Sequence, residues 1–436
     1  MARRLPILVA AALCALVTAA VARGDAPSEW WLHAIGADTV TAPGPGVPIV
    51  VVDGAVDATQ PQFNGRANTT YLDPQELAGA DDDHATAVAS LAAAPGLNGG
   101  IAGVYPQAAL EIWDAGRGAD GIDAGSAAQG IADAAQQCPA VINLSFGGSE
   151  ANPQLQAAIL RAVRAGCLIV AAAGNSGQDG DPQTYPASYA HVFTVGATDE
   201  QNNPLGFSSS GPWVDVAAPG TDMTSDVPLS LDPSGVLTGL AGTSFSAPLV
   251  SAAAAWIWTV RPTLTASQVA ALLRESARPV GAQRFDAKAG YGVIDIAAAL
   301  ALPTPPPDPV EPNDDVSMVK PGLFFSSGQP PITTEARPST RLAGTLLQAE
   351  DPRDLYRIWV PAHRTVRVSI APHGNASARI WGPKTYTIDE QPALRKRDLA
   401  GPSITGGPVG QYAYVEVALT GRSLSATYIL SVTASR

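Results

Sequence analysis

The chain has 436 residues, 46% hydrophobic and only 15% charged, with 42 Gly, 38 Pro and a net charge of −13. So little charge excludes coiled coil, general disorder and charge-laced helical bundles, and favours a large, loop-rich core. The acidic balance, 39 Asp and Glu against 26 Lys and Arg, argues against nucleic acid or anionic lipid as a partner, since both need cations to neutralise phosphate.

Residues 1–22 read as a signal peptide. Arg3 and Arg4 give a positive start, residues 5–20 an apolar run, and Ala20-Val21-Ala22 the small residues of a cleavage site. A membrane anchor needs roughly 18–20 apolar residues, and here Arg23, Gly24 and Asp25 interrupt first. Cys14 follows Leu13 rather than a small residue, which disfavours lipidation. Later apolar stretches such as 249–260 are also too short, so the mature chain is expected to be secreted or periplasmic, without a membrane span.

From residue 47 to about 300, short apolar runs alternate with Ala-rich stretches. Strands are expected over 48–53, 110–113, 141–146, 168–173, 192–197 and 213–217, and helices over 84–94, 125–137, 153–165 and 244–260. Such alternation forms βαβ units, hence an α/β domain over 23–302 with a mainly parallel sheet. Ligand sites in such sheets lie at the carboxyl ends of strands. Cys138 and Cys167 each precede an apolar run. If those strands are neighbours, both thiols sit at one sheet edge and an exported chain can bridge them; two buried free thiols are the alternative. Residues 303–312 hold six prolines and read as a stiff linker. Beyond it, 355–360, 365–370, 412–419 and 427–432 alternate apolar and polar residues, which makes 313–436 a small all-β domain, most simply a sandwich.

Three segments of the first domain place reactive side chains at the ends of elements. Asp53 closes the strand Pro48-Ile49-Val50-Val51-Val52-Asp53, His84 opens an Ala-rich helix, and Ser244 opens the long apolar helix after Gly242-Thr243. Acyl transfer at neutral pH needs a nucleophile, a base for its proton and a carboxylate to orient that base. Asn175, just past a strand in Ala172-Ala173-Gly174-Asn175, adds an amide donor for a developing oxyanion beside the Ser244 N–H. Taken singly, Ser244 would be read as a helix N-cap and Asp53 as a strand-end solubilising residue. Of five histidines only His84 begins a helix; His33 and His191 lie in an arm and before a strand, and His363 and His373 in the β domain. No Cys or His cluster suggests zinc. Asp81-Asp82-Asp83, if close to His84, would favour its imidazolium and move activity to alkaline pH.

Together these motifs resemble the subtilisin-like serine proteases over residues 30–300. Val50-Val51-Val52-Asp53 matches the acid, His84 the base, Gly242-Thr243-Ser244 with Ala247-Pro248 the nucleophile, and Asn175 the oxyanion asparagine. Asn143-Leu144-Ser145-Phe146-Gly147 resembles the segment that lines the substrate cleft, so Ser145, Phe146 and Gly147, with Ala173 and Gly174, are expected to bind substrate. Gly290-Tyr291-Gly292-Val293-Ile294-Asp295 resembles the closing signature. The resemblance implies a subtilisin-like three-layer α/β/α fold. It also implies a secreted, monomeric serine endopeptidase that cleaves protein or peptide substrates through Asp53, His84 and Ser244. Small residues in 145–147, 172–174 and 180–185 suit an apolar or aromatic substrate side chain, and Asp179 and Asp181 leave a basic one open.

Several positions depart from the pattern. Asp53-Gly54-Ala55 replaces Asp-Thr/Ser-Gly, and His84-Ala85-Thr86-Ala87 replaces His-Gly-Thr-His. Gln62 stands where many members carry a calcium-binding aspartate, so the usual calcium site is altered; no cofactor is expected, and structural calcium stays open. About 25 residues between cleavage site and first strand leave no room for an inhibitory pro-domain. These departures motivate a competing reading, an inactive protease serving as a binding module. An α/β-hydrolase esterase is excluded by order, since its serine precedes its acid and histidine. Glu311-Pro312-Asn313-Asp314 and Asp351-Pro352-Arg353-Asp354-Leu355-Tyr356 resemble the pre-peptidase C-terminal domain, which implies a role in export or substrate attachment, often ended by processing.

Overall fold

β1 (Ile49–Asp53) is buried along its whole length. Its alternate residues divide between two cores, Ile49 and Val51 entering one and Val50 and Val52 the other. A strand covered on both faces is why its sequence is continuously apolar. The computed structural model describes residues 29–73, 83–97, 99–116, 121–281, 285–308, 310–348, 351–388, 399–421 and 423–435. The expected signal peptide 1–22, Cys14, Asp81, Asp82 and the side chain of Asp83 lie outside the described residues.

The chain divides into two compact units, the first ending at Pro305. Around β1 the first unit runs α1 (Trp30–Ala34), β2 (Thr69–Tyr71), α2 (Asp83–Ala93), β3 (Leu110–Asp114), α3 (Ala124–Ala134) and β4 (Val141–Leu144). It continues with α4 (Pro153–Ala165), β5 (Leu168–Ala172), β6 (Val192–Thr198), β7 (Val214–Pro219), β8 (Met223–Asp226) and β9 (Val236–Leu240). Three helices close it: α5 (Thr243–Val260), α6 (Ala266–Ser276) and α7 (Ile296–Ala301). Seven strands pair in the order β2-β3-β1-β4-β5-β6-β7, all parallel. Helices α2, α5 and α6 cover one face and α3 and α4 the other, which is the three-layer α/β/α arrangement. The short β2, the β8–β9 hairpin, α6 and α7 come in addition to the expected elements. A capping box, in which the side chains of Thr265 and Gln268 bond each other's backbone N–H, starts α6.

Adjacent strands β4 and β5 pair Val141 with Leu168. Just before them Cys138 and Cys167 form a disulfide that spans 29 residues. Closing a loop of that length contributes about 3–4 kcal/mol in the chain-entropy account. At the other side of the sheet, Asp215 of β7 accepts from Arg274 Nε of α6 and from Thr194 N of β6, both at 2.7 Å. The Arg274 guanidinium also covers the Phe193 ring at 4.9 Å. A buried charge held by a partner and a backbone donor ties α6 to the sheet.

The second unit starts at Pro306. It holds α8 (Val316–Val319), β10 (Thr340–Leu347), β11 (Arg353–Val360), β12 (Thr365–His373), β13 (Ala376–Trp381), β14 (Leu399–Gly401), β15 (Ser403–Thr405), β16 (Gln411–Leu419) and β17 (Ser425–Ala434). Two four-stranded antiparallel sheets, β10-β17-β12-β15 and β11-β16-β13-β14, enclose one core. Leu346, Val366, Leu430 and Val432 fill it from the first sheet, and Ile358, Ile380, Val415 and Val417 from the second. Within the stretch 303–312 read from sequence as linker, Asp308 and Pro312 are tied into this unit: Asp308 Oδ2 accepts from Thr345 N at 3.1 Å and Pro312 O from Gln329 Nε2 at 3.0 Å.

One buried carboxyl in the first unit makes the fold sensitive to pH. Asp226, at the end of β8, is fully buried; Oδ1 accepts from Ile101 N at 3.2 Å and Oδ2 has no hydrogen-bond partner. Burial, reinforced by the charge of Glu29, pushes its pKa up to about 7. The folded chain therefore holds this proton more tightly than the unfolded one, and stability declines as pH rises from the ordinary carboxylate range through about 7. Urea unfolding should show a loss of about 2–3 kcal/mol between about pH 5 and about pH 8, and Asp226→Asn should abolish that part of the slope.

Candidate active site

The two-residue period of β1 that sends Val51 under α2 and α5 sends Asp53 to the same face, at the carboxyl end of the strand. Asp53 is 1% exposed. Its Oδ1 accepts from Gly54 N at 2.8 Å and from His84 Nδ1 at 2.8 Å. That bond fixes the imidazole tautomer, because a carboxylate can only accept, and leaves Nε2 as the basic nitrogen. Asp53 Oδ2 has no hydrogen-bond partner. Gly54, where the resembled motif has Ser or Thr, offers no hydroxyl to it.

His84 lies in the first turn of α2 with its side chain 33% exposed. Its ring packs against Phe245 with centroids 5.9 Å apart. Phe245 follows Ser244 in the first turn of α5, so the amino-terminal turns of α2 and α5 meet over the end of β1. The Ser244 hydroxyl makes no hydrogen bond among the described residues. Asn175, past the end of β5, accepts at Oδ1 from Thr243 N and from Thr243 Oγ1, both at 2.9 Å. Anchoring the oxygen orients the carboxamide and leaves Nδ2 as its outward donor. That nitrogen lies beside Gly242, whose added Cβ would sit 3.4 Å from it, at the start of α5 where helical N–H groups lack intrahelical partners. Thr243 and Phe245 were not singled out from sequence; Thr243 stands within the Gly-Thr-Ser motif itself.

Helix α5 contains Pro248, four residues after Ser244. Proline has no N–H, so the Ser244 carbonyl lacks its normal helical donor. Ser145 Oγ supplies one at 2.9 Å. Ser145 in turn accepts from Asn143 Nδ2 at 3.0 Å, and Asn143 Oδ1 accepts from Ser251 Oγ at 2.9 Å. This buried relay joins the end of β4 to two turns of α5. It also explains why β4 stops at Leu144, before the expected end at 146: residue 145 leaves the ladder to reach the helix.

Among the residues expected to bind substrate, Phe146 and Gly147 line a cavity with Ile122, Leu155, Tyr185 and Tyr189. Gly148 beside them exchanges backbone hydrogen bonds with Tyr185 at 2.8 and 2.9 Å. Ser145 and Ala173 are instead buried at 1% and 0% exposure, and the Ser145 hydroxyl is committed to the Ser244 carbonyl. Gly174 donates to Thr243 Oγ1 at 3.1 Å, and a side chain there would come within 2.7 Å of Thr184 Oγ1. Asp181 is bound to Ser210 through both its backbone N–H and its hydroxyl, away from the cavity. Glu150, which the sequence did not single out, is the acid that lines it.

At Gln62, Oε1 accepts from Leu97 N at 2.9 Å while Nε2 donates to Leu97 O. His33 bonds Asp38 at 3.0 Å on the surface, and His191 is buried.

A seven-stranded parallel sheet between two helical layers, with Asp53 at the end of β1 and His84 and Ser244 in the first turns of α2 and α5, is the arrangement of a subtilisin-type fold. Residues 44–292 match the family model described as the subtilase family, Peptidase_S8. Subtilisin DY of Bacillus licheniformis is 34% identical over 270 residues, covering 61% of this chain and 96% of that relative. Subtilisin Savinase of Lederbergia lenta is 34% identical over 257 residues, covering 59% and 91%. Among solved structures, MycP1 with its N-terminal propeptide removed has 31% identity and a TM-score of 0.52, over 63% of this chain and 98% of that one. The psychrophilic subtilisin-like protease Apa1 from Pseudoalteromonas sp. AS-11, at 20% identity and a TM-score of 0.55 over 62% and 97%, shares the fold. The chain belongs to the subtilase family and is a serine-type endopeptidase.

Because the Ser145 hydroxyl stands in for the missing Pro248 N–H, Ser145→Ala should leave a buried carbonyl unpaired. The expected cost is about 1–3 kcal/mol in urea unfolding, and Ser145→Thr should recover most of it.

Proposed function

We propose that this endopeptidase is secreted and works through a triad of Asp53, His84 and Ser244 with Asn175 in the oxyanion site. The bond from His84 Nδ1 to the buried Asp53 carboxylate is the observation that carries the reading. In it, Ser244 Oγ attacks the peptide carbonyl carbon while His84 Nε2 takes the hydroxyl proton. Asp53 stabilises the imidazolium that results, and His84 returns the proton to the leaving amine. The negative oxygen of the tetrahedral intermediate is received by the Ser244 N–H and Asn175 Nδ2; a donor of this kind lowers the barrier by about 3–4 kcal/mol. Water then repeats the sequence on the acyl-enzyme.

The apolar cavity beside Phe146 and Gly147 suits an apolar or aromatic substrate side chain, with an extended peptide running along residues 146–148. The Gln62 carboxamide bonds both Leu97 N and Leu97 O, which supports a first unit held at that loop by side-chain hydrogen bonds. Export rests on the sequence pattern of residues 1–22, and among the described residues no helix is long and apolar enough to cross a membrane.

An active-site-directed fluorophosphonate should label the folded protein at Ser244. Casein turnover should fall by about 10⁶-fold in Ser244→Ala. Unlabelled, folded protein beside a labelled control protease would favour the binding-module reading instead.

A further inference from the structure

The cavity beside Phe146 and Gly147 has walls of two kinds. Ile122, Phe146, Leu155 and Tyr185 present apolar and aromatic surface, and Glu150 is the one charged side chain that lines it among the described residues. The short arch that carries Glu150 is pinned at both feet. Gly148 exchanges two backbone hydrogen bonds with Tyr185. Asn152 donates its N–H to the Tyr189 hydroxyl at 2.5 Å and accepts from that hydroxyl through its carbonyl at 3.0 Å. The two tyrosine rings pack on each other with centroids 4.9 Å apart. Asn152 also caps α4, its Oδ1 accepting from Gln154 N at 2.9 Å and Leu155 N at 3.0 Å. The backbone on either side of Glu150 is therefore fixed, while its side chain is exposed and forms no hydrogen bond or ion pair among the described residues.

A carboxylate on an apolar wall discriminates between substrate side chains of similar shape. It repels a second carboxylate and attracts a cation. Lysine and arginine suit both parts of the cavity, since their carbon stems lie along apolar surface while the charged end stays at the water. Because Glu150 is exposed, water and salt screen the attraction, which yields a preference of several fold rather than absolute selection. The acids that the sequence offered for a basic side chain stand elsewhere. Asp181 is bonded to Ser210, and neither it nor Asp179 lines the cavity.

We infer that Glu150 is a specificity-determining residue of this peptidase. It extends the range of the cavity from apolar and aromatic side chains to lysine and arginine, and it turns away aspartate and glutamate. The inference rests on the reading that the cavity beside residues 146–148 receives a substrate side chain.

The test uses the full chain and fluorogenic peptides of alanine background, in which one of the four residues before the scissile bond is lysine, norleucine or glutamate. Norleucine keeps the lysine stem without its ammonium group, so the kcat/KM ratio of lysine to norleucine isolates the charge. At the position that the cavity reads, Glu150→Gln should lower this ratio by about three- to fivefold, mainly through KM. Glu150→Lys should lower it further and raise the ratio of glutamate to norleucine. Salt at about 1 M should bring the parent's ratio close to that of Glu150→Gln. Glu275→Gln removes the same charge from α6, on the opposite face of the sheet, and should keep the parent's ratio. An equal ratio of lysine to norleucine in the parent, Glu150→Gln and Glu150→Lys at all four positions would overturn the assignment while leaving proteolysis in place. A parent that turns over neither these peptides nor casein would instead defeat the catalytic reading, and this inference with it.

Discussion

The bond between a strand-end carboxylate and a helix-start imidazole organises the first unit. Asp53 can sit at 1% exposure only because β1 is sandwiched between two cores, and its charge is held there by Gly54 N and by His84. The same period that buries Val51 under α2 and α5 aims Asp53 at the place where those helices begin. The sheet thus supplies precision and the helix starts supply unpaired N–H groups, a division of labour common to parallel α/β sites.

Helix α5 must hold Ser244 firmly at its first turn while leaving the hydroxyl and N–H free. A regular helix would satisfy the Ser244 carbonyl from residue 248, but Pro248 removes that donor. The relay from Ser251 through Asn143 to Ser145 replaces it with side chains at the end of β4, so the Ser244 backbone is fixed from the sheet as well as from its own helix. Asn175 is fixed in a similar manner, by Thr243 bonding its oxygen so that the nitrogen remains the outward donor. Hydroxyls on both flanks of Ser244 orient the site.

Much of this was legible in the sequence, for physical reasons that also mark where reading fails. Strands such as 49–53 and 168–172 announce themselves because both faces are buried, and Asp53, His84, Asn175 and Ser244 stand at their ends or at helix starts. By contrast β2 is three residues long and half exposed, and β9 carries Gly239 at φ +77 with no fully buried residue, so neither shows a strand pattern. Helix α6 had a visible capping signal in Thr265 and Gln268. The role of Ser145 was latent in the spacing of Ser244 and Pro248, but which side chain supplies the missing donor depends on a contact between residues 99 apart in sequence.

The account of catalysis stands or falls on the buried carboxylate orienting the imidazole. Asp53→Asn preserves shape while removing the charge and the preference for the Nδ1–H tautomer. Steady-state hydrolysis of a peptide anilide by this variant, measured beside its urea unfolding, should show kcat reduced by about 10³–10⁴-fold with stability little changed. A folded Asp53→Asn enzyme retaining activity within a few-fold of the parent would contradict it.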